Sequence, residues 1–309
     1  MDKPYIEYIT GSIGAKSLLF KRAAEKNNAF LRAKTVEENR EAKRKLAALL
    51  PIPPKITARP AVLAGVACEW IRRPESSEEH VLLYLHGGSW AFGDLRTVRA
   101  VGIQLAELSR FTVLAAEYRL SPEHPYPAGL TDCRSVYKKL LEQGFPPEKL
   151  VLFGDSAGGN LALALLHLLK EEGAPLPAAV ACASPVTNLT PEGAILRERP
   201  DLAFTQYGGE ERDIVSLYLD GQDPLRPTAS PVFGDMAGFP PLLIHTGGDE
   251  VLLGDNIAFA EAAHGWGVDV TCKVWQEMYH DFTIVGVALK ESRQSMQEAV
   301  SFLEAHIPW

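Results

Sequence analysis

Residues 149–170, "KLVLFGDSAGGNLALALLHLLK", decide the fold. Leu150–Phe153 is a short apolar run of the kind that forms a buried strand, and residues 161–170 are rich in Leu and Ala, strong helix formers. Between them Gly154-Asp155-Ser156-Ala157-Gly158 reads G-x-S-x-G, a sharp strand-to-helix turn that holds a serine at its apex. Side chains at 154 and 158 would collide with the adjoining strand and helix. The dipole of the following helix favours negative charge developing beside Ser156. Taken alone the motif could be a tight glycine turn with a capping serine; the strand before it, the helix after it and a third glycine at 159 outweigh that reading.

Working outward, "TVLAAEY" (112–118), "AAVACAS" (178–184) and "PLLIHTGG" (241–248) are further apolar runs bounded by Gly, Pro or polar residues and separated by helical stretches. "VACEWI" (66–71) and "VLLYL" (81–85) precede them. This alternation predicts an α/β fold: a mostly parallel sheet flanked by helices, with functional residues at the C-terminal ends of strands. Residues 1–50 are rich in Lys, Glu, Ala and Leu, carry a capping box at Thr35 and Glu38, and stop at Pro51. They are expected to form surface helices whose Leu46, Leu49 and Leu50 need something to cover, as in a lid. Residues 187–230 are a proline-containing excursion with a helix around Ile214, Leu217 and Tyr218, the second candidate cap segment. The expected organisation is N-terminal cap helices over 1–50, a catalytic domain in two parts (51–186 and 231–309), and a cap insertion over 187–230.

Composition excludes several function classes. The 309 residues carry a formal charge of -8 and no aromatic-interleaved basic stripe, so nucleic acid is not an expected partner. "MDKPYIEYITGS" at the start lacks the apolar run of a secretory signal, and "LALALLHLL" is too short to span a bilayer, so a cytoplasmic protein with no membrane partner is expected. Cys68, Cys133, Cys182 and Cys272 are too far apart in sequence for a CxxC pair, and each is expected to be a small buried residue. No metal is expected.

A nucleophilic serine needs a base, and the base needs an orienting acid, in the chain order Ser, Asp or Glu, His. His80, His86, His124 and His245 come too early, His167 sits in the helix after the turn, His264 reads as a helix-end residue, and His306 is near the terminus. His280, in "MYHDF" after the strand "VDVTCKVW" (268–275), is the expected base. "HTGGDEVLLGDN" offers Asp249, Glu250 and Asp255; Asp255 could cap the next helix, and Asp249, first after the strand and its glycines, is the expected orienter. An oxyanion formed on an acyl carbon needs preorganised N–H donors. Ala157 supplies one, and Gly87 and Gly88 of "LYLHGGSWAFGD" (83–94) let a second backbone loop approach. His86 is expected to anchor that loop, and Trp90 and Phe92 to pack or to line a substrate pocket.

"HGGSW" (86–90), "YRLSPEHPYPAGLTD" (118–132), "GDSAGGN" (154–160), "SPVTNLT" (184–190), "GGDEVLLGD" (247–255) and "YHDF" (279–282) together resemble the hormone-sensitive-lipase family of bacterial esterases, from about residue 60 to the end. The resemblance implies an α/β-hydrolase with a helical cap, acting without a cofactor on small carboxylic esters with short acyl chains. It implies Ser156 as nucleophile, Asp249 as acid, His280 as base and Gly87, Gly88 and Ala157 as oxyanion donors. Ser89 replaces the third glycine of the family's HGGG, and Asp281 replaces the glycine usual after the histidine, adding negative charge near the base. Amide or lactone hydrolysis by the same triad is the alternative reading, and a non-catalytic small-molecule-binding protein of this fold a further one. A homodimer is expected through "VDVTCKVW", read as a sheet edge.

Overall fold

The computed structural model describes residues 5–11, 13–22, 35–193, 213–286 and 289–309. Its apolar runs become strands that are buried on both faces. Val81–Leu85 (β4), Leu150–Asp155 (β6), Ala179–Ala183 (β7) and Leu242–Gly247 (β8) are buried at every position, which is why they read as continuous rather than alternating runs. With Ile6–Ile9 (β1), Thr57–Leu63 (β2), Val66–Arg72 (β3), Thr112–Glu117 (β5) and Val270–Trp275 (β9) they form one sheet in the order β1-β9-β8-β7-β6-β4-β5-β3-β2. Pairing is antiparallel between β2 and β3 and between β3 and β5, and parallel elsewhere.

Helices cover both faces. Successive residues of β4 divide between two cores, Leu83 and Leu85 packing with Ala128–Glu142 (α4), Ala157–Glu171 (α5) and Leu253–Gly265 (α7), and Leu82 and Tyr84 with Leu95–Leu108 (α3) and Lys290–Ala305 (α8). Truncating one fully buried leucine of either layer, such as Leu165 or Leu303, would cost roughly 2–5 kcal/mol. Among the described residues no helix is long and apolar enough to cross a membrane.

Two sequence expectations change here. Residues 1–50 are not all helical: Ile6–Ile9 is a strand, in parallel register with Cys272–Trp275. β1 therefore covers the edge that β9 would have offered, so the expected edge for a homodimer is not available on β9. The helices of this segment are α1 (residues 15–22) and α2 (Val36–Ala47). α2 opens with the expected capping box, Glu38 N–H donating to Thr35 Oγ1 at 3.3 Å and Thr35 N–H to Glu38 Oε2 at 2.8 Å, but ends at Ala47, short of Pro51. In the second cap segment Ile214–Leu219 forms a helix (α6), while residues 194–212 lie outside the described residues.

α2 is fixed to the body by arginines. Arg40 Nε donates to the Ala91 carbonyl at 2.8 Å, its Nη2 to the Ser121 carbonyl at 2.8 Å, and both Nη atoms pair with Glu123. Arg44 reaches Asp94, the N-cap of α3, at 2.9 Å. Leu46, Leu49 and Leu50 stay more than half exposed, so they do not bury against the body as a surface helix would. Leu46 and Leu50 instead form part of a cavity wall.

Candidate active site

The cavity lies at the C-terminal ends of β4 and β6, where a mostly parallel sheet places its functional residues. Ser156 follows β6 and precedes α5, with φ +50° and ψ -116°, a backbone conformation that a serine adopts only when its surroundings force it. Its N–H is held by the Ala183 carbonyl at 2.8 Å. A Cβ at Gly154 would collide with the Gly158 carbonyl, and one at Gly158 with the carbonyls of Leu85 and His86, so both glycines of the motif are required by close backbone approach. Asn160 Nδ2 ties the first turn of α5 to the Val186 and Ala229 carbonyls, each at 2.9 Å.

His280 meets this serine from the loop after β9, its Nε2 lying 3.0 Å from Ser156 Oγ. The sequence expectation for the acid is corrected by the geometry. Asp249, half exposed, turns to the surface and pairs with Lys21 of α1. Glu250 is the carboxylate behind the imidazole: its side chain is fully buried and Oε1 lies 3.7 Å from His280 Nδ1. Glu250 Oε2 accepts from Ser184 Oγ at 2.6 Å and from Gly247 N–H at 2.8 Å. The order along the strand misled because Gly247 and Gly248 carry the chain over the 275–279 loop, where added Cβ atoms would strike its backbone, so the second acid rather than the first turns inward. Asp255 lies inside the first turn of α7 rather than capping it.

Most of the other imidazoles have structural partners. His86 is buried, donates from Nδ1 to the Gly87 carbonyl at 2.8 Å and stacks on Tyr118 with ring centroids 4.3 Å apart; burial pulls it down to about 4 and keeps it neutral. His167 bonds the Pro231 carbonyl, His245 receives Trp275 Nε1–H, and His264 stacks on Tyr5. His86 thus anchors the glycine loop, as its place in "HGG" suggests.

That loop qualifies the oxyanion assignment. Gly87 N–H is already bonded to Asp155 Oδ2 at 2.9 Å, so it buttresses the loop instead of facing the cavity. Gly88, at φ +118° and packed against the Phe92 carbonyl, and Ala157, first residue of α5, keep N–H groups outside the described hydrogen-bond network. Ser89 and Trp90 continue in left-handed conformation. Trp90 does not line the cavity: it is buried and stacked on Tyr218 of α6, centroids 4.2 Å apart, while Phe92 lines the cavity in its place.

The cavity has a volume of about 370 Å³. Its apolar walls are Leu46 and Ala47 of α2, Leu50 just beyond it, Val98 and Val101 of α3, and Ile284; Ser156, His280 and Asp281 stand at its polar end, with Lys43 of α2. Of the 187–230 segment, none of the described residues lines it. Charge is concentrated at the polar end. Burial opposes the imidazolium of His280, but Asp281, Glu250 and Asp155 around it prevail and push it up to about 9. Burial likewise pushes Asp281 up to about 8 and Asp155 up to about 6, the latter despite bonds from Tyr84 Oη–H and Gly87 N–H. Among the described residues no three His, Cys, Asp or Glu side chains are grouped as metal ligands.

A sheet of this order with a strained serine between a central strand and a helix is the layout of an α/β hydrolase. The chain matches the family model described as alpha/beta hydrolase fold over residues 82–284. It is 42% identical over 235 residues to an acetyl-hydrolase of Streptomyces hygroscopicus, covering 76% of this chain and 78% of the relative. To an esterase of Acinetobacter venetianus it is 34% identical over 259 residues, covering 83% and 85%. The crystal structure of an esterase from the bacterial hormone-sensitive lipase family aligns with a TM-score of 0.87 at 33% identity, covering 97% of this chain and 100% of that one. The chain belongs to the bacterial hormone-sensitive lipase family of α/β hydrolases.

Proposed function

We propose that this protein is a serine carboxylesterase that hydrolyses short-chain carboxylic esters through an acyl-enzyme. The observation that carries the reading is the 3.0 Å approach of His280 Nε2 to Ser156 Oγ on the strained turn at the cavity's polar end. In this reading His280 takes the Ser156 proton as Oγ attacks the ester carbonyl, and the tetrahedral oxyanion is met by the N–H groups of Gly88 and Ala157. His280 then gives that proton to the leaving alcohol, and water repeats both steps on the acyl-enzyme to release the acid. Glu250 holds the imidazole from the Nδ1 side. The gap of 3.7 Å closes by a small side-chain shift, as contacts of this kind commonly tighten when substrate binds. A cavity of about 370 Å³, at the small end of the roughly 300–1,000 Å³ usual for ligand sites, supports short acyl groups. The relatives named acetyl-hydrolase and esterase support the same class. The cytoplasm is the compartment that suits four buried, unpaired cysteines.

The test is hydrolysis of p-nitrophenyl esters from acetate to palmitate, run beside matching amides and lactones, with a phosphonate label mapped by mass spectrometry. Fastest turnover at the short end and labelling at Ser156 are expected. A label on another residue, or amide hydrolysis outpacing ester hydrolysis, refutes the reading.

A further inference from the structure

His280 has a carboxylate at each ring nitrogen. Glu250 faces Nδ1, and on the other side Asp281 Oδ2 lies 3.4 Å from Nε2, the nitrogen that also meets Ser156 Oγ at 3.0 Å. Asp281 is held there by backbone. It sits at φ +58°, and its N–H donates at 3.2 Å to Ser184 Oγ, the same hydroxyl that donates to Glu250. Its second oxygen, Oδ1, is buried without a hydrogen-bond partner among the described residues. A carboxylate fixed against the working nitrogen is not needed to orient the imidazole, because Glu250 occupies the orienting position.

We propose, on the reading of Ser156 and His280 given above, that Asp281 is a positioning residue for His280: it retains at Nε2 a proton that must leave before Ser156 can be activated. The consequence does not depend on which partner carries the proton. On Nε2 it makes an imidazolium, and on Oδ2 it is a hydrogen bond donated to Nε2; in both cases the serine hydroxyl cannot donate to that nitrogen. The base is usable only after the proton is lost, and retaining it more tightly moves the acid limb of kcat/KM to higher pH. The charged groups facing the pair act in known directions. Glu250 after β8 and Asp155 at the end of β6 strengthen proton retention at His280, while Lys43 of α2 favours the ionised form of Asp281. Tyr84, beside Asp155, stays neutral because burial holds its hydroxyl well above the usual range. Burial of His280 opposes them, and the net direction is upward.

Asp281→Gly and Asp281→Asn test the inference. Glycine accepts a φ of +58° without strain, so the first should fold, and asparagine keeps the shape while removing the charge. The assay is the pH profile of kcat/KM on p-nitrophenyl acetate, with circular dichroism as the check on folding. In both variants the acid limb should fall by roughly one to three pH units, the range for loss of an opposite charge at this distance. Below the wild-type limb the variants should then be faster than wild type, by about tenfold per unit moved. A residue that merely supports the loop would not produce a gain. An unmoved limb in folded Asp281→Gly, or loss of activity at every pH, overturns the inference. Ser156→Ala is measured alongside: if it retains hydrolysis the proposed function falls, whereas an inactive Ser156→Ala with an unmoved limb rejects the role of Asp281 alone.

Discussion

Neutralising the two adjacent acids after β8, one at a time, should have unequal consequences. Glu250→Gln keeps the size of a side chain that is fully buried and removes the negative charge 3.7 Å from His280 Nδ1. With an effective dielectric near 20, two unit charges at that distance interact by roughly 4 kcal/mol. This is the stabilisation lost when the imidazolium forms in the transition state, and at 1.36 kcal/mol per decade it corresponds to about a thousandfold in kcat. Misalignment adds to the loss, because a glutamine must choose which end to present to Ser184 Oγ–H, Gly247 N–H and the imidazole. Asp249→Asn removes only a half-exposed surface pair with Lys21, worth about 0–1 kcal/mol, and should leave kcat within a few-fold. The assay is steady-state hydrolysis of p-nitrophenyl acetate well above the acid limb, with Tm measured for each variant. A folded Asp249→Asn that loses as much activity as Glu250→Gln would refute the assignment.

Three further outcomes are expected. Ser156→Ala and His280→Ala should each lower kcat by several orders of magnitude, and the double variant should be scarcely slower than either, since such residues act as a unit; multiplying effects in single-turnover kinetics would contradict this. Trp90→Ala should destabilise the fold by about 3–5 kcal/mol through loss of the Tyr218 stack, read as a lowered denaturation midpoint, with chain-length preference among esters unchanged in the folded fraction. Leu50→Trp should fill the cavity wall just after α2 and steepen the fall in rate with acyl length while leaving Tm nearly unchanged, because Leu50 is more than half exposed; a flat profile would remove the segment after α2 from the substrate site.

The parts legible in the sequence are those set by local chemistry. Strands β4, β6, β7 and β8 are buried on both faces and so read as unbroken apolar runs, and the glycines at 154 and 158 announce a turn that only glycine can pack. Ser156 and His280 follow from that turn and from a loop at a strand end. What could not be read depends on partners distant in sequence. The four residues of β1 alternate too briefly to register within a helix-rich segment, and they are a strand because β9 offers them an edge. β2 contains Pro60, a residue a central strand excludes, and its place at the outer end of the sheet accommodates it. Glu250 and Asp249 are equivalent by pattern. Their roles separate only when Lys21, some two hundred residues earlier, takes one carboxylate and Ser184 takes the other. The one signal that could have been used is the expected lid itself, since a basic segment lying over the strand ends would draw the more exposed acid outward.

Backbone strain gathers at the same place as the chemistry. Among the described residues, eight other than glycine have positive φ, and four of them, Ser89, Ser156, Ser184 and Asp281, line the cavity or directly support its polar end, with Trp90 next to Ser89 in the chain. Each such residue costs of order 1–3 kcal/mol, so the surrounding packing must impose them. The packing that does so is visible: the Ala183 carbonyl holds Ser156, the stack on Tyr218 holds Trp90, and Ser184 binds both Glu250 and the Asp281 backbone. Ser184 therefore joins the acid behind the imidazole to the carboxylate in front of it. Ser184→Ala would release both at once, so it should lower kcat and also shift the acid limb of the pH profile; Glu250→Gln should likewise do both, because its charge also favours the imidazolium, whereas Asp281→Gly should act mainly on the limb. If Ser184→Ala changed only Tm, with kcat and the limb unmoved, the strained residues would be independent of one another rather than parts of one frame holding His280 between two carboxylates.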